Sequence, residues 1–134
     1  MMELQFTLVS PERSLCQNLA VRQVTLPGCE GQIQILPDHI DFVSTLMTGV
    51  FYYTLMDGKQ HFGALSTGFV EVRQNRVRVF AHTAERAEDI DHARAVNAQR
   101  RAEEKLQGNG SARKYELKLQ RALVRQQASR AAQQ

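Results

Sequence analysis

Apolar and polar positions alternate along the first 83 residues, and the period then changes. Leu4, Phe6 and Leu8 alternate with polar neighbours; Val21, Val24 and Leu26 make a second short run, and Ile33 and Ile35 alternate within residues 31–36. Residues 50–56 form a continuous β-branched and aromatic run, Phe69, Val70 and Val72 another, and Val77, Val79 and Ala81 alternate with Arg76, Arg78 and Phe80. Successive side chains of a strand point to opposite faces, so period two in strand-prone residues predicts half-buried strands. Turn formers separate the runs: Ser10-Pro11-Glu12, Pro27-Gly28, Asp57-Gly58 and Gln74-Asn75. Asp57-Gly58 is the strongest hairpin signal, because a two-residue hairpin turn needs positive φ at both central positions. Many short strands with regular turns predict an antiparallel sandwich or barrel.

After His82 the chain reads differently. From Thr83 onward there is no proline, glycine occurs only at Gly108 and Gly110, and Ala, Arg, Glu, Gln and Leu dominate. These are good helix formers. One helix is expected from about Asp89 or Ile90 to Gln107, with Asp89 as its N-cap. Gly108-Asn109-Gly110 then turns the chain, and Ser111 caps a second helix to about Arg130, with residues 131–134 fraying. The expected division is a β domain over residues 1–83 and a helical hairpin over residues 84–134.

Composition bounds this picture without changing it. At 134 residues, 43% hydrophobic and 23% charged, the chain fits one small domain with an appendage. That excludes a wholly disordered chain, a collagen-like repeat and a disulfide scaffold. No apolar run approaches the roughly 20 residues of a membrane-spanning helix. Met1-Met2-Glu3-Leu4 begins no basic segment followed by an apolar stretch, so no secretory leader is expected. Cys16 and Cys29 form neither a CxxC nor a zinc spacing, which fits a reduced cytosolic compartment.

Charge adds more. The net charge is +3, but residues 111–134 carry six basic side chains and one acidic, while residues 1–83 and 84–110 each carry one excess acidic side chain. A basic tail calls for an acidic partner, either nucleic acid or an acidic protein surface. Only Tyr115 is interleaved with the tail's charges and there is no tryptophan, which argues against nucleic acid.

On the first helix, Ala95, Ala98, Ala102 and Leu106 make a narrow stripe suited to close helix packing. Arg94 and Arg101 lie about 60° and 80° around that helix from Asp91. The three read either as a solvated ion-pair face or as an anion or nucleotide site, since guanidiniums bind phosphate bidentately. On the second helix, Tyr115, Leu119 and Ala122/Leu123 form the apolar stripe, with Lys114, Lys118, Arg121 and Arg125 as a basic stripe behind it. That stripe reads either as a solvated face or as a surface that docks on an acidic partner. His39, His61, His82 and His92 are widely spread, and no nucleophile motif, Walker motif or phosphate loop occurs. No catalytic residue and no metal site are expected, and the two cysteines read as buried small apolar residues.

Longer segments carry a resemblance. Glu30-Gly31-Gln32-Ile33-Gln34-Ile35-Leu36-Pro37-Asp38-His39 resembles the EGxxGxxPxH loop of the epsilon subunits of F-type ATP synthases. Gly68-Phe69-Val70-Glu71-Val72 with Val77-Arg78-Val79-Phe80-Ala81 is similar to that family's GGFxEV…VxVLA segment. Residues 84–91, Ala-Glu-Arg-Ala-Glu-Asp-Ile-Asp, with Arg94-Ala95 resemble its domain junction and IDxxRA motif, and Arg100-Arg101-Ala102-Glu103-Glu104 continues the helix. The segments come in family order over essentially the whole chain.

The resemblance implies a sandwich of about ten strands followed by a helix-turn-helix, in a non-catalytic subunit of the central rotor. The sandwich would bind the gamma subunit on one side and the c-ring at its base, through Gly28, Glu30, Gly31 and Gln32 and through Pro37, Asp38 and His39. The hairpin would be permissive when folded. Extended, it would reach the alpha/beta catalytic head and inhibit ATP hydrolysis, with Lys114, Lys118, Arg121 and Arg125 meeting acidic residues of the beta subunit. The resemblance requires no cofactor, but it implies ATP as a regulatory ligand of the folded hairpin, at Glu85, Ile90, Asp91, Arg94, Ala95, Arg101, Arg121 and Arg125. It places the protein peripherally at the cytoplasmic face of a bacterial inner membrane, with no nucleic-acid partner. Asp38-His39-Ile40-Asp41, Gln34 and Thr67 depart from the family pattern and make the base more acidic. A free-standing ATP-sensing module is the competing reading; a nucleic-acid adaptor is a weaker one.

Overall fold

Alternation of large apolar and polar residues builds the sheet, because each strand can then offer one face to the core. The computed structural model describes residues 2–107 and 112–133. In chain order the strands are β1 (Leu4–Val9), β2 (Ser14–Gly28), β3 (Gly31–Ile35), β4 (Phe42–Leu46), β5 (Gly49–Leu55), β6 (Gln60–Leu65), β7 (Gly68–Arg73), β8 (Arg76–Ala81) and β9 (Ala84–Arg86). Two helices follow, α1 (His92–Leu106) and α2 (Ala112–Ala131). The strands are hydrogen-bonded in the order β1-β8-β7-β4-β2-β5-β6-β9, with β3 on β2, and β1 also pairs with β2. The β1–β8 pair is parallel and the others are antiparallel. The 15-residue β2 serves both layers of the sandwich, pairing with β1 in its first half and with β3 and β5 in its second.

The fold class is the expected one, with nine strands among the described residues rather than about ten. Leu4, Phe6 and Leu8 of β1 face inward against Val70 and Val72 of β7 and Val77 and Val79 of β8, and Phe51 and Tyr53 of β5 close the same core. Gln74 and Asn75 both take positive φ (50° and 62°), the two-residue turn geometry that Asp57-Gly58 was expected to show. At Asp57-Gly58 only Gly58 does so (92°). There the Asp57 carboxylate accepts the Lys59 N–H at 2.9 Å, an alternative turn that aspartate favours.

β9 carries the sheet past residue 83: Gly63, Ala64 and Leu65 of β6 pair with Arg86, Glu85 and Ala84. A 3-10 turn over Ala87–Asp89 then leads to α1. The first helix therefore starts at His92 and is capped by Asp91, whose side chain accepts the Arg94 N–H at 3.1 Å; Asp89 is not its cap. The physical reason is that the sheet edge holds the chain extended to Arg86 and buried Ile90 anchors it, so the first free helical N–H groups fall after Asp91. The expected turn at Gly108-Asn109-Gly110 and the cap at Ser111 lie outside the described residues. α2 extends to Ala131, and Ala132 and Gln133 continue as a turn.

Inside the sandwich the Cys16 thiol donates to the Tyr53 hydroxyl at 3.8 Å. Burial pushes the thiol above its ordinary value of 9.0, and burial with the neighbouring Cys16 pushes the phenol above its ordinary 10.0. Both acids thus hold their neutral form harder folded than unfolded. Their contribution to stability is complete below about pH 9 and is lost as pH rises beyond it. The melting temperature should stay level up to about pH 9 and fall above it, and Cys16→Ala combined with Tyr53→Phe should flatten that fall in a calorimetric pH series.

Candidate anion groove in the helical hairpin

Small side chains bring the two helices close. Ala95 and Ala102 of α1 and Ala122 of α2 are buried, and Ala98 and Leu106 are half-buried, as the alanine stripe predicts. Gln126 of α2 is buried between the helices, donating to the Gln99 side-chain oxygen at 2.7 Å and to the Ala95 carbonyl at 3.4 Å. Gln99 in turn donates to Glu103 at 2.9 Å. This chain sets the register of the hairpin, since a one-residue slip leaves a buried amide unpaired. The other face of α2 lies on β5 and β6, where Val124 and Ala128 pack on Ala64, Ile90 and Val50. The expected stripe of Tyr115, Leu119 and Ala122/Leu123 covers only the α1 side, and Leu123 is exposed.

Between the helices is a cavity of about 440 Å³ with alanine walls and cationic rims. Ala98, Arg101, Ala102 and Lys105 come from α1 at spacings of three and four, one face of that helix. Tyr115, Lys118, Arg121, Ala122 and Arg125 come from α2. Five cations line the groove, and none of its described lining residues is acidic. Lys114 and Lys118 also sit near the Tyr115 ring, at 5.8 and 5.6 Å from its centroid. Like charges gathered on small side chains create a field that attracts a compact polyanion, and arginines in that field can bind phosphate oxygens two at a time.

Of the eight residues expected to hold a nucleotide, Arg101, Arg121 and Arg125 meet at this groove. Glu85 reaches it indirectly, through an ion pair with Arg125: Nε lies 2.8 Å from Oε1 and Nη2 donates to Oε2 at 3.0 Å. Ile90 and Ala95 are buried in packing, Asp91 is engaged as the cap, and Arg94 is exposed outside the groove. Lys105, Lys118 and the flanking Tyr115 were not among the residues expected to hold a nucleotide; Lys118 was expected only on the basic stripe. Lys105 stands four residues after Arg101, a spacing that places both on one helix face.

The expected c-ring residues fall into two groups. Gly28, Glu30, Gly31 and Gln32 surround the β2–β3 turn and line a hollow of about 440 Å³ with Phe42 and Thr45. Pro37, Asp38 and His39 follow the other end of β3, four strand steps or roughly 13 Å away. Asp38, at φ 65°, receives an N–H contact from the Asn75 side chain at 3.4 Å and donates its own N–H to Asn75 at 2.7 Å. Asp41 accepts the Gln74 N–H at 3.1 Å. The two atypical aspartates therefore latch this loop to the β7–β8 turn. The outer face of β4, β7 and β8 exposes Val43 (69%), Phe69 and Phe80, the last two stacked with ring centroids 5.0 Å apart.

Comparisons with known proteins agree along the chain. Residues 3–87 match the family model of the ATP synthase delta/epsilon chain β-sandwich domain, and residues 88–130 match that of its long α-helix domain. The ATP synthase epsilon chain of Desulfitobacterium hafniense (strain Y51) is 45% identical over 129 residues, covering 93% of this chain and 96% of that one. That of Symbiobacterium thermophilum is 38% identical over 132 residues, covering 96% and 94%. A chain in the Euglena gracilis mitochondrial ATP synthase structure (OSCP/F1/c-ring, rotational state 1) has the same fold, with a TM-score of 0.84 at 23% identity, covering 100% of this chain and 83% of that chain.

Proposed function

This chain belongs to the ATP synthase delta/epsilon family, among its epsilon chains, and from that premise we propose that it is a non-catalytic central-rotor subunit whose hairpin restrains ATP hydrolysis under the control of a polyanion such as ATP. The observation that carries this reading is the five-cation groove, which exists only while α1 and α2 lie side by side. A nucleotide's phosphates in that groove would neutralise cations of both helices at once and so bind the folded hairpin far better than an extended one. A ligand shifts a two-state equilibrium by its differential affinity for the two states. Lys118, Arg121 and Arg125 line the groove when the hairpin is folded, and with Lys114 they become available to an acidic surface of the catalytic head when it extends.

The sandwich supplies the mount. Its exposed Val43, Phe69 and Phe80 make an apolar face suited to the gamma subunit, and the β2–β3 turn with Glu30 and Gln32 is the part offered to the c-ring. No described helix is long and apolar enough to cross a membrane. In this reading the chain is held at the membrane's cytoplasmic face through the assembled complex. Added to the alpha/beta/gamma catalytic head from the same source, the full chain should lower ATP hydrolysis several-fold. Reversing Lys114, Lys118, Arg121 and Arg125 together to Glu should remove most of that inhibition; inhibition that survives the reversal refutes the role given to the basic stripe.

A further inference from the structure

β7 and β8 pair across the Gln74-Asn75 turn, so their outward side chains form rungs: Arg73 opposite Arg76, Glu71 opposite Arg78, and Phe69 opposite Phe80. The first two rungs and Gln74 line a cleft of about 270 Å³. Its three arginines are exposed, and they are half of the six basic side chains in residues 1–83, a stretch that carries seven acidic ones. Among the described residues the one ion pair within 4.0 Å joins Glu85 and Arg125, so these three cations have no such partner, although Glu71 stands opposite Arg78. Asp38 and Asp41 stand at the same turn, but they accept from the Asn75 side chain and from the Gln74 N–H. They fix the turn, and the turn holds Arg73 and Arg76 side by side. Like charges directly opposite each other on a sheet face are destabilising. The free chain therefore carries a repulsion that it does not relieve itself, at a spot that its own latch holds in place.

We propose that this arginine cleft receives a cluster of carboxylates on the gamma subunit, beside the apolar patch of gamma that covers Phe69 and Phe80. The proposal rests on the reading of this face as the gamma mount. The face has two unlike ends. Val9 of β1 lies opposite Phe80 at the apolar end, and Gln5 lies opposite Arg76 at the cationic one. Phe69 and Arg73 are four residues of strand apart, roughly 14 Å. A folded protein surface can match both ends at that spacing. Lipid headgroups present charge as a layer, and a nucleic acid has no apolar patch beside its phosphates. Guanidiniums bind carboxylates through two hydrogen bonds at a time, so an acidic partner also removes the repulsion between Arg73 and Arg76. Charges at the rim of an interface act chiefly on the rate of encounter and on its salt dependence, while the apolar contact sets how long the complex lasts. The arginines thus steer gamma onto the phenylalanines.

The test is association of the full chain with the alpha/beta/gamma head from the same source, followed by surface plasmon resonance in low salt (about 0.05 M KCl) and high salt (about 0.5 M). The unmodified chain should associate at least about tenfold more slowly in high salt. Arg73→Gln, Arg76→Gln and Arg78→Gln together should slow association in low salt to roughly that same level and make it nearly indifferent to salt, while dissociation changes by no more than about threefold. The free triple variant should melt about 1–3 °C higher, because the opposed charges are gone, which separates lost steering from misfolding. Arg22→Gln removes an exposed cation of β2 outside the cleft and should leave association and its salt dependence as they are. Association that keeps its speed and its salt dependence in the triple variant overturns the proposal; if that variant also stops floating with phosphatidylglycerol vesicles, the cleft faces lipid instead. No association of the unmodified chain with the head at either salt overturns the reading of this face as the gamma mount.

Discussion

Gly63→Val is expected to be among the most damaging single substitutions, lowering stability by about 3 kcal/mol or more and the melting temperature by roughly 10 °C. Valine is a better strand former than glycine, so propensity alone predicts the opposite sign. Space decides. A Cβ at Gly63 would sit 2.4 Å from the Glu85 carbonyl oxygen and 2.4 Å from the edge of the Phe51 ring. The carbonyl belongs to the β6–β9 ladder and cannot turn aside without breaking it, and Phe51 is among the largest fully buried side chains. Relief requires β9 to move away, taking Glu85 and the mount of α1 with it. Thermal unfolding followed by circular dichroism checks the size of the effect, and a melting temperature within a few degrees of the unmodified chain would contradict it.

The second large effect concerns the groove. Reversing Arg101 and Arg121 together to Glu should weaken binding of ATP or tripolyphosphate at least a hundredfold. Hydrogen bonds from a charged donor to phosphate contribute about 1.5–3 kcal/mol each, and here two are replaced by repulsion. Arg100→Glu is the control: it neighbours Arg101 in sequence, but its side chain lies outside the groove and bonds to Asn97. Screening in physiological salt should hold its effect to roughly threefold. The double reversal also relieves repulsion among five converging cations, so the ligand-free hairpin should dock at least as well as before. Affinity lost while docking is kept separates a ligand role from a structural one. A calorimetric titration reads the first, and hydrogen exchange of α2 reads the second.

Much of this fold can be read from the residues because the core obeys one rule. Leu4, Phe6 and Leu8 alternate with polar neighbours, Val77, Val79 and Ala81 alternate with Arg76, Arg78 and the outward-facing Phe80, and all six are buried. The reading weakens where tertiary structure overrides local preference. Ala84-Glu85-Arg86 are helix formers, yet they lie extended because the edge of β6 offers an unpaired ladder. Asp89 and Asp91 are equally good caps by type, and the difference between them is set by where Ile90 is anchored. Val124 and Ala128 escaped the apolar stripe of α2 because that helix buries two faces, one on α1 and one on the sandwich, and its pattern no longer shows a single period. The site is split in the same way. Arg101, Arg121 and Arg125 stand out in sequence, but that they meet, that Lys105 joins them and that Arg94 does not depend on how the two helices are rotated against each other.

The central claim, that this chain works as a rotor subunit, is tested most directly by its association with the gamma subunit. The full chain, mixed with the alpha/beta/gamma head from the same source, should co-elute with it in size-exclusion chromatography at one copy per gamma. Replacing the exposed pair Phe69 and Phe80 with serine should release it while leaving its circular dichroism spectrum unchanged. A folded chain that stays apart from the head at micromolar concentration would contradict the account.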